Sequence, residues 1–330
     1  MPTISDVAKL TGLSKTTISR VINNHQYVSE EKRALVLKAM QELGYTPNPA
    51  ARRLRGQSTT TIGVIVPRIV NPFFSYLVNT IETAAYEKGY QVIISQSNED
   101  AEKELAFLQL LKTKQVDGII MTAIENEWSV IEPFLAYGPI MLCNEYITNA
   151  NVPIVRLNQQ KGAYIGVKHL IDRGHHKIAY CTGGLFAEDG KDKDRNHGFQ
   201  KALKEADIAV NTKWIFLNQY SIEDGKKVMN QIMAMDERPT AIFTGSDEIA
   251  AGMMIEAKKH GLKIPEDMAI IGFDDQPIAE MLEPQLTTIR QPVEKMGELA
   301  VAILVDMLDD TSLKVQEHEL PIELVIRKTT

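Results

Sequence analysis

From Thr61 onward, short β-rich runs alternate with helical stretches, and this alternation limits the fold more than any other feature of the chain. Strands are expected at Thr61–Val66, Gln91–Ser95, Asp117–Met121, Ile140–Cys143, Lys177–Thr182, Trp214–Leu217, Ala241–Thr244 and Met268–Gly272. Helical patterns fill the gaps, at Phe73–Lys88, Ala101–Lys114, Gln160–Arg173 and Asp247–Lys259. Strands that alternate with helices form parallel sheets covered on both faces. The strands are too many for one small sheet, so two α/β halves are expected. In open sheets of this kind ligands bind beyond the carboxyl ends of the strands. Candidate pocket positions are therefore Asn71–Phe74, Ser97 and Asn98, Thr122–Glu125, Asn144, Ser246 and Asp247, and Asp274 and Asp275. The helix beginning near Pro72 also directs free backbone N–H groups to this end.

The first 45 residues follow a different rule. Ile4, Val7 and Ala8 recur at helical spacing, with Ser5 and Asp6 as cap candidates. Gly12 suits the left-handed stop of that helix. Ser14 is placed to cap a second helix, Lys15 to Asn23, with Ile18, Val21 and Ile22 turned inward. A helix, a short glycine-containing turn and a second helix make a helix-turn-helix. Lys15, Thr16, Thr17, Ser19 and Arg20 occupy the polar face of the second helix. Short hydroxyls and long cations suit base edges and phosphates. Ser29 is a cap for a third helix, with Val36, Met40 and Leu43 inward and Gly44 as its stop.

Charge supports a nucleic-acid partner for this head. Residues 1–60 hold 9 Lys and Arg against 4 Asp and Glu. The whole chain holds 36 against 43, leaving 27 against 39 for the rest. The basic excess is confined to the segment proposed to meet DNA, so the overall net charge of −7 does not argue against binding.

Between head and core lies a short basic stretch. Asn48 can cap it, Pro49 suits its first helical position, and Arg52, Arg53, Leu54 and Arg55 follow before Gly56. Isolated helices shorter than about 12–15 residues are marginal in water. This one carries three arginines as well, so it is expected to order only on an anionic surface. Leu54 would then wedge between base steps of a minor groove, with Asn48, Arg52 and Arg55 beside it.

The run SDVAKLTGLSKTTISRVINN followed by VSEEKRALVLKAMQELGYTPNPAARRLR resembles the head and hinge of the lactose/galactose repressor (LacI/GalR) family. TIGVIVPRIVNPFF, GAYIGVKHLIDRGHHKIAY, RNHGFQKAL, PTAIFTGSDEIAAG, IPEDMAIIGFDD and LTTIRQPVEKMGELAV continue the match in order, over essentially the whole chain. The resemblance implies an all-α helix-turn-helix head (residues 1–47), a hinge (48–58) and a periplasmic-binding-protein-like core (59–330) of two doubly wound α/β subdomains. The first subdomain would take about 59–157 and 290–320, the second about 158–289 and 321–330. The crossovers are expected near Leu157–Asn158, Thr288–Arg290 and Leu320–Ile322. The resemblance also implies effector contacts at Phe73 and Phe74, Asn144, Arg195, Tyr220, Asp247 and Asp274. An aromatic platform with Asp, Asn and Arg is suited to a sugar, whose C–H faces stack on rings while charged forks hold hydroxyls. The chain departs from the family pattern at Asn144–Glu145, where many relatives have Asp-Arg.

The resulting expectation is a cytoplasmic, homodimeric transcriptional regulator, a repressor of carbohydrate-use genes, that binds a near-palindromic operator and responds to a sugar or sugar phosphate. A global carbon regulator activated by a partner protein and a sugar-processing enzyme with a DNA-binding head are the competing readings. Enzyme signatures are weak. GGLFAEDGKD lacks P-loop spacing, and His175 and His176 are adjacent, a poor arrangement for one metal. Asp274 and Asp275 are neighbours on an extended segment and point oppositely. No cofactor or metal is expected, no apolar run approaches membrane-helix length, and Cys143 and Cys181 are expected as buried free thiols.

Overall fold

The computed structural model describes residues 2–22, 27–45, 58–147, 150–184, 193–310 and 315–330. The head contains α1 (Ile4–Thr11), α2 (Lys15–Ile22) and α3 (Glu30–Leu43). Val7, Ile18, Val21, Val36 and Ala39 are buried where the three helices meet, with Ile22, Met40 and Leu43 partly buried around them. Thr3, rather than Ser5 or Asp6, is the N-cap of α1, and Asp6 reaches back to accept from the Thr3 N–H at 2.9 Å and hydroxyl at 2.8 Å. Gly12 ends α1 at φ +70°, the left-handed conformation that favours glycine. The Ser14 hydroxyl accepts from the Thr17 N–H at 3.1 Å, so the expected cap of α2 forms. Ser29 stands at the cap position of α3, but its side chain makes no capping hydrogen bond.

The core begins with β1 (Thr61–Val66), α4 (Pro72–Glu87), β2 (Gln91–Gln96), α5 (Ala101–Lys112), β3 (Gly118–Met121), the short α6 (Trp128–Ile131), β4 (Ile140–Cys143) and β5 (Ile154–Leu157). It continues through α7 (Gln159–Asp172), β6 (Ile178–Cys181), α8 (Lys193–Glu205), β7 (Ile215–Phe216), α9 (Ile222–Met233), β8 (Ala241–Thr244), α10 (Asp247–Lys259), β9 (Ala269–Asp274), α11 (Pro277–Met281) and β10 (Thr287–Arg290). It closes with α12 (Val293–Asp309), β11 (Glu317–Leu320) and β12 (Glu323–Val325).

Among the described residues these strands form two six-stranded sheets, ordered β11-β5-β4-β3-β1-β2 and β12-β10-β9-β8-β6-β7. Every pairing is parallel except β10 with β12. Central strands such as TIGVIV and AIIGFD are buried along their whole length, because helices cover both faces. In the first unit, α4 and α12 bring Leu77, Ile81, Met296 and Leu304 to one face, and α5 brings Phe107, Leu108 and Leu111 to the other. In the second unit, α7 and α8 supply Val167, Leu170 and Phe199, while α9 and α10 supply Val228, Ile232 and Met253.

The chain passes between the units three times: between β5 and α7, between β10 and α12, and between β11 and β12. The second passage follows Arg290, since Thr287–Arg290 pairs with β9 in full register. β7 is shorter than the expected Trp214–Leu217, since Trp214 closes a 3-10 turn. No helix among the described residues is long and apolar enough to cross a membrane.

Candidate functional site: a cleft between two sheets and an exposed reading helix

On α2, Lys15, Thr16 and Arg20 are exposed, while Thr17 and Ser19 are half-buried. The Thr17 hydroxyl lies 2.9 Å from that of Ser14, so it is already engaged at the start of the helix. The free reach of this face therefore belongs to Lys15, Thr16 and Arg20. The expected hinge contacts Asn48, Arg52, Leu54 and Arg55 lie outside the described residues.

A cavity of about 180 Å³ opens where the carboxyl ends of the two sheets face each other. Phe73, Phe74 and Asn144 line it from the first unit, and Arg195, Tyr220 and Asp274 from the second. Asn71 accepts from the Phe73 N–H at 3.0 Å and caps α4, which fixes the first turn of that helix at the cavity wall. The Phe73 and Phe74 rings meet edge to face at 5.0 Å. Asn144 follows β4 at φ +77°, a conformation asparagine tolerates. Asp274 ends β9 at φ +108°, which a residue with a Cβ holds only when its surroundings impose it.

Those surroundings are polar and specific. The Gln276 side chain donates to Asp274 Oδ2 at 3.0 Å, and the Gln291 side chain donates to Oδ1. Burial pushes the Asp274 carboxyl up to about 7, opposed by the Arg195 guanidinium and by the two amide donors. Arg195 donates to the Gly245 carbonyl at 2.9 Å and to Gln159 Oε1 at 3.0 Å, and packs over the Phe273 ring at 4.2 Å. Arg195 and Asp274 thus line the cavity from one unit, with Phe73 and Phe74 from the other.

Asp247 departs from its expected place. It is fully buried and absent from the cavity lining. Its Oδ2 accepts from the Gln276 N–H at 2.7 Å and its Oδ1 from the Thr288 hydroxyl at 2.5 Å. Burial, with Asp274 adding, holds its carboxyl well above the ordinary range. Asp247 therefore braces the turn that presents Asp274.

Glu99, Gly183 and Gln219, which the sequence reading did not single out, also line the cavity, as does Glu145 beside Asn144. Arg68, just beyond β1 and outside the lining, pairs with Glu99 at 2.9 Å and lies over the Tyr220 ring, with Cζ 3.8 Å from its centroid. Position just after a strand was the available signal for Arg68 and Glu99. Beside the cavity, a hollow of about 410 Å³ runs past Trp128, Tyr146 and Asp194 and shares Asn144 and Arg195 with it. There the Tyr146 hydroxyl donates to Asp194 at 3.0 Å across the units. Cys143 and Cys181 are buried free thiols; burial pushes the Cys143 thiol up to about 12 and the Cys181 thiol up also, so neither offers a thiolate nucleophile.

Two family models match the chain: bacterial regulatory proteins, lacI family, over residues 3–48, and a periplasmic binding protein-like domain over residues 167–330. The NTD biosynthesis operon regulator NtdR of Bacillus subtilis (strain 168) is 46% identical over 331 residues, covering 100% of both chains. The lac repressor dimer bound to operator and the anti-inducer ONPF is a structural neighbour with TM-score 0.87 and 27% identity, covering 99% of this chain and 98% of that one. A LacI family transcriptional regulator from Lactobacillus casei with bound sucrose has TM-score 0.77 and 29% identity, covering 82% of this chain and 99% of that one.

Proposed function

Because the chain belongs to the lacI family of bacterial regulatory proteins and is a DNA-binding transcriptional regulator, we propose that it is a repressor whose hold on its operator is set by a sugar-like molecule in the cleft. The observation that carries this reading is the facing of the Arg195–Asp274 pair from one sheet unit against Phe73 and Phe74 from the other. A small polyol fits such walls, with its C–H faces on the rings and its hydroxyls held by the guanidinium and carboxylate. The charged residues of the lining are Glu99, which is paired with Arg68, Glu145, Asp274 and Arg195.

A ligand touching both units favours one relative orientation of them, and only such differential affinity shifts an equilibrium. The head precedes the first unit in the chain, so orientation bears on how two heads are spaced. We place base reading on Lys15, Thr16 and Arg20, and groove insertion on Leu54 with Asn48, Arg52 and Arg55 at the backbone. The relevant form is a homodimer, which matches a near-palindromic operator. The lac repressor neighbour is a dimer on its operator, and the Lactobacillus casei regulator holds sucrose. Regulation, not turnover, is the activity assigned. A thermal-shift screen of monosaccharides, disaccharides and amino sugars tests the reading, since a ligand at about 100 times its Kd adds roughly 2.7 kcal/mol. A sugar that shifts the wild type but not Asp274→Ala supports the cleft; equal shifts in both place the site elsewhere.

A further inference from the structure

The three passages between the sheet units are tied to one another by side chains. Arg156 and Asn158, at the first passage, reach Glu319, beside the third, at 3.1 and 3.3 Å. Arg290, at the second, reaches Glu323, just past the third, at 2.8 Å. Glu319 and Glu323 are 42% and 63% exposed, and exposed ion pairs constrain little.

The tie between the first and second passages differs in kind. Gln159, the first residue of α7, donates its side-chain N–H to Gln291 Oε1 at 3.1 Å. Gln291 follows β10 directly and is 4% exposed. Outward from this pair run two further bonds, from Arg195 Nε to Gln159 Oε1 and from Gln291 Nε2 to Asp274 Oδ1. A guanidinium only donates, so Gln159 must present its oxygen to Arg195 and its N–H to Gln291, which in turn presents its own N–H to Asp274. The guanidinium therefore fixes both amides in one orientation, and each bond in the row polarises the next. Neither glutamine lines the 180 Å³ cavity.

We infer that Gln159 and Gln291 are positioning residues: they hold the spacing of Arg195 and Asp274 and join that spacing to the geometry of the first two passages. Gln159 opens α7 and Gln291 directly follows β10, both at points where the chain passes between the units, so twisting of either passage bears on the pair. Breaking the pair releases both cleft charges at once. A ligand that needs Arg195 and Asp274 at fixed spacing thus favours the orientation in which the amide pair is intact. This role in ligand response rests on the reading of the cleft as the effector site.

The test uses the full chain without DNA or sugar. Gln159→Met and Gln291→Met keep side-chain length and remove the amide. Hydrogen exchange is followed in peptides spanning residues 154–165 and 286–297. Either single variant is expected to speed exchange about tenfold in both segments, although each alters only one, and the double variant to be no faster than the singles. Acceleration confined to the substituted segment, or effects that add, would overturn the inference. Gln159→Asn keeps an amide but falls one methylene short; it gives the same two-segment pattern, or refutes it, if the methionine variants do not fold. Because no sugar enters the measurement, an empty ligand screen counts against the effector site alone, and one-segment exchange against the glutamine pair alone.

Discussion

Arg68 lies over Tyr220, with Cζ 3.8 Å from the ring centroid, and the two residues belong to different sheet units. Their contact joins the units beside the cleft, at the lining residue Tyr220. Glu99 steadies the guanidinium at 2.9 Å, and Gly183 leaves room for the ring, since a Cβ there would sit 2.4 Å from it. Cation–π contacts contribute about 0.5–2 kcal/mol, depending on desolvation. Arg68→Ala should therefore weaken sugar binding by calorimetry, by at most about thirtyfold and by about twofold at the lower end of that range. Unaltered affinity would mean that the contact does not contribute to the ligand-bound orientation.

Asp247 should matter for stability rather than for ligand contact. Asp247→Ala strands the Gln276 N–H and the Thr288 hydroxyl in a buried turn. Unmaking such a pair of bonds should cost about 2–4 kcal/mol in urea unfolding. Gly272→Ala should act through the same group, because a Cβ at Gly272 would lie 2.1 Å from Asp247 Oδ1. A loss below about 0.5 kcal/mol for Asp247→Ala would show that the turn holds without its carboxylate.

Stability should depend on pH through Asp274. Burial raises its carboxyl from 3.8 to about 7, so the folded chain keeps a proton that the unfolded chain loses in between. Stability from this group is full below about 4 and declines as pH rises toward 7. Asp247, raised by burial, adds in the same direction. Asp274→Asn removes the titration, so its melting temperature should gain on the wild type from pH 5 to pH 8. Sugar affinity of the wild type should rise over the same interval, because the ionised carboxylate accepts hydroxyl donors. Parallel melting profiles for the two proteins would contradict the assignment.

In the head, the exposed Arg20 and the engaged Thr17 should behave differently. Arg20→Ala should weaken binding to a selected operator by about 1–3 kcal/mol more than binding to random duplex. Thr17→Ala should lower both affinities alike, by loosening the start of α2. Equal losses for Arg20→Ala on the two duplexes would reduce it to a backbone contact.

The sheets were legible because parallel strands covered on both faces are written as unbroken apolar runs. GIIM, IMLC and AIFT fall in strands whose every residue is buried. Four strands escaped notice: the interior β5, IVRL, and β10, TTIR, whose short runs are broken by polar residues, and the edge strands β11, EHEL, and β12, ELV, which carry exposed residues. Most cleft positions followed from the rule that ligands meet strand ends. The inward turn of Asp247 did not, because its partners Gln276 and Thr288 are 29 and 41 residues away. The Gln159–Gln291 pair spans 132 residues, and nothing in the local pattern around either glutamine announces the other.

The central claim is that the cleft and the DNA-reading head are coupled. Coupling between two binding sites is reciprocal and is measured as a ratio of affinities. The direct measurement is operator affinity of wild type and Asp274→Ala, each with and without the sugar found by thermal shift, on a duplex selected by the wild type. The sugar should change wild-type affinity at least fivefold, while the mutant should bind operator as the free wild type does and ignore the sugar. A mutant that responds as strongly as the wild type at the same sugar concentration would contradict the account.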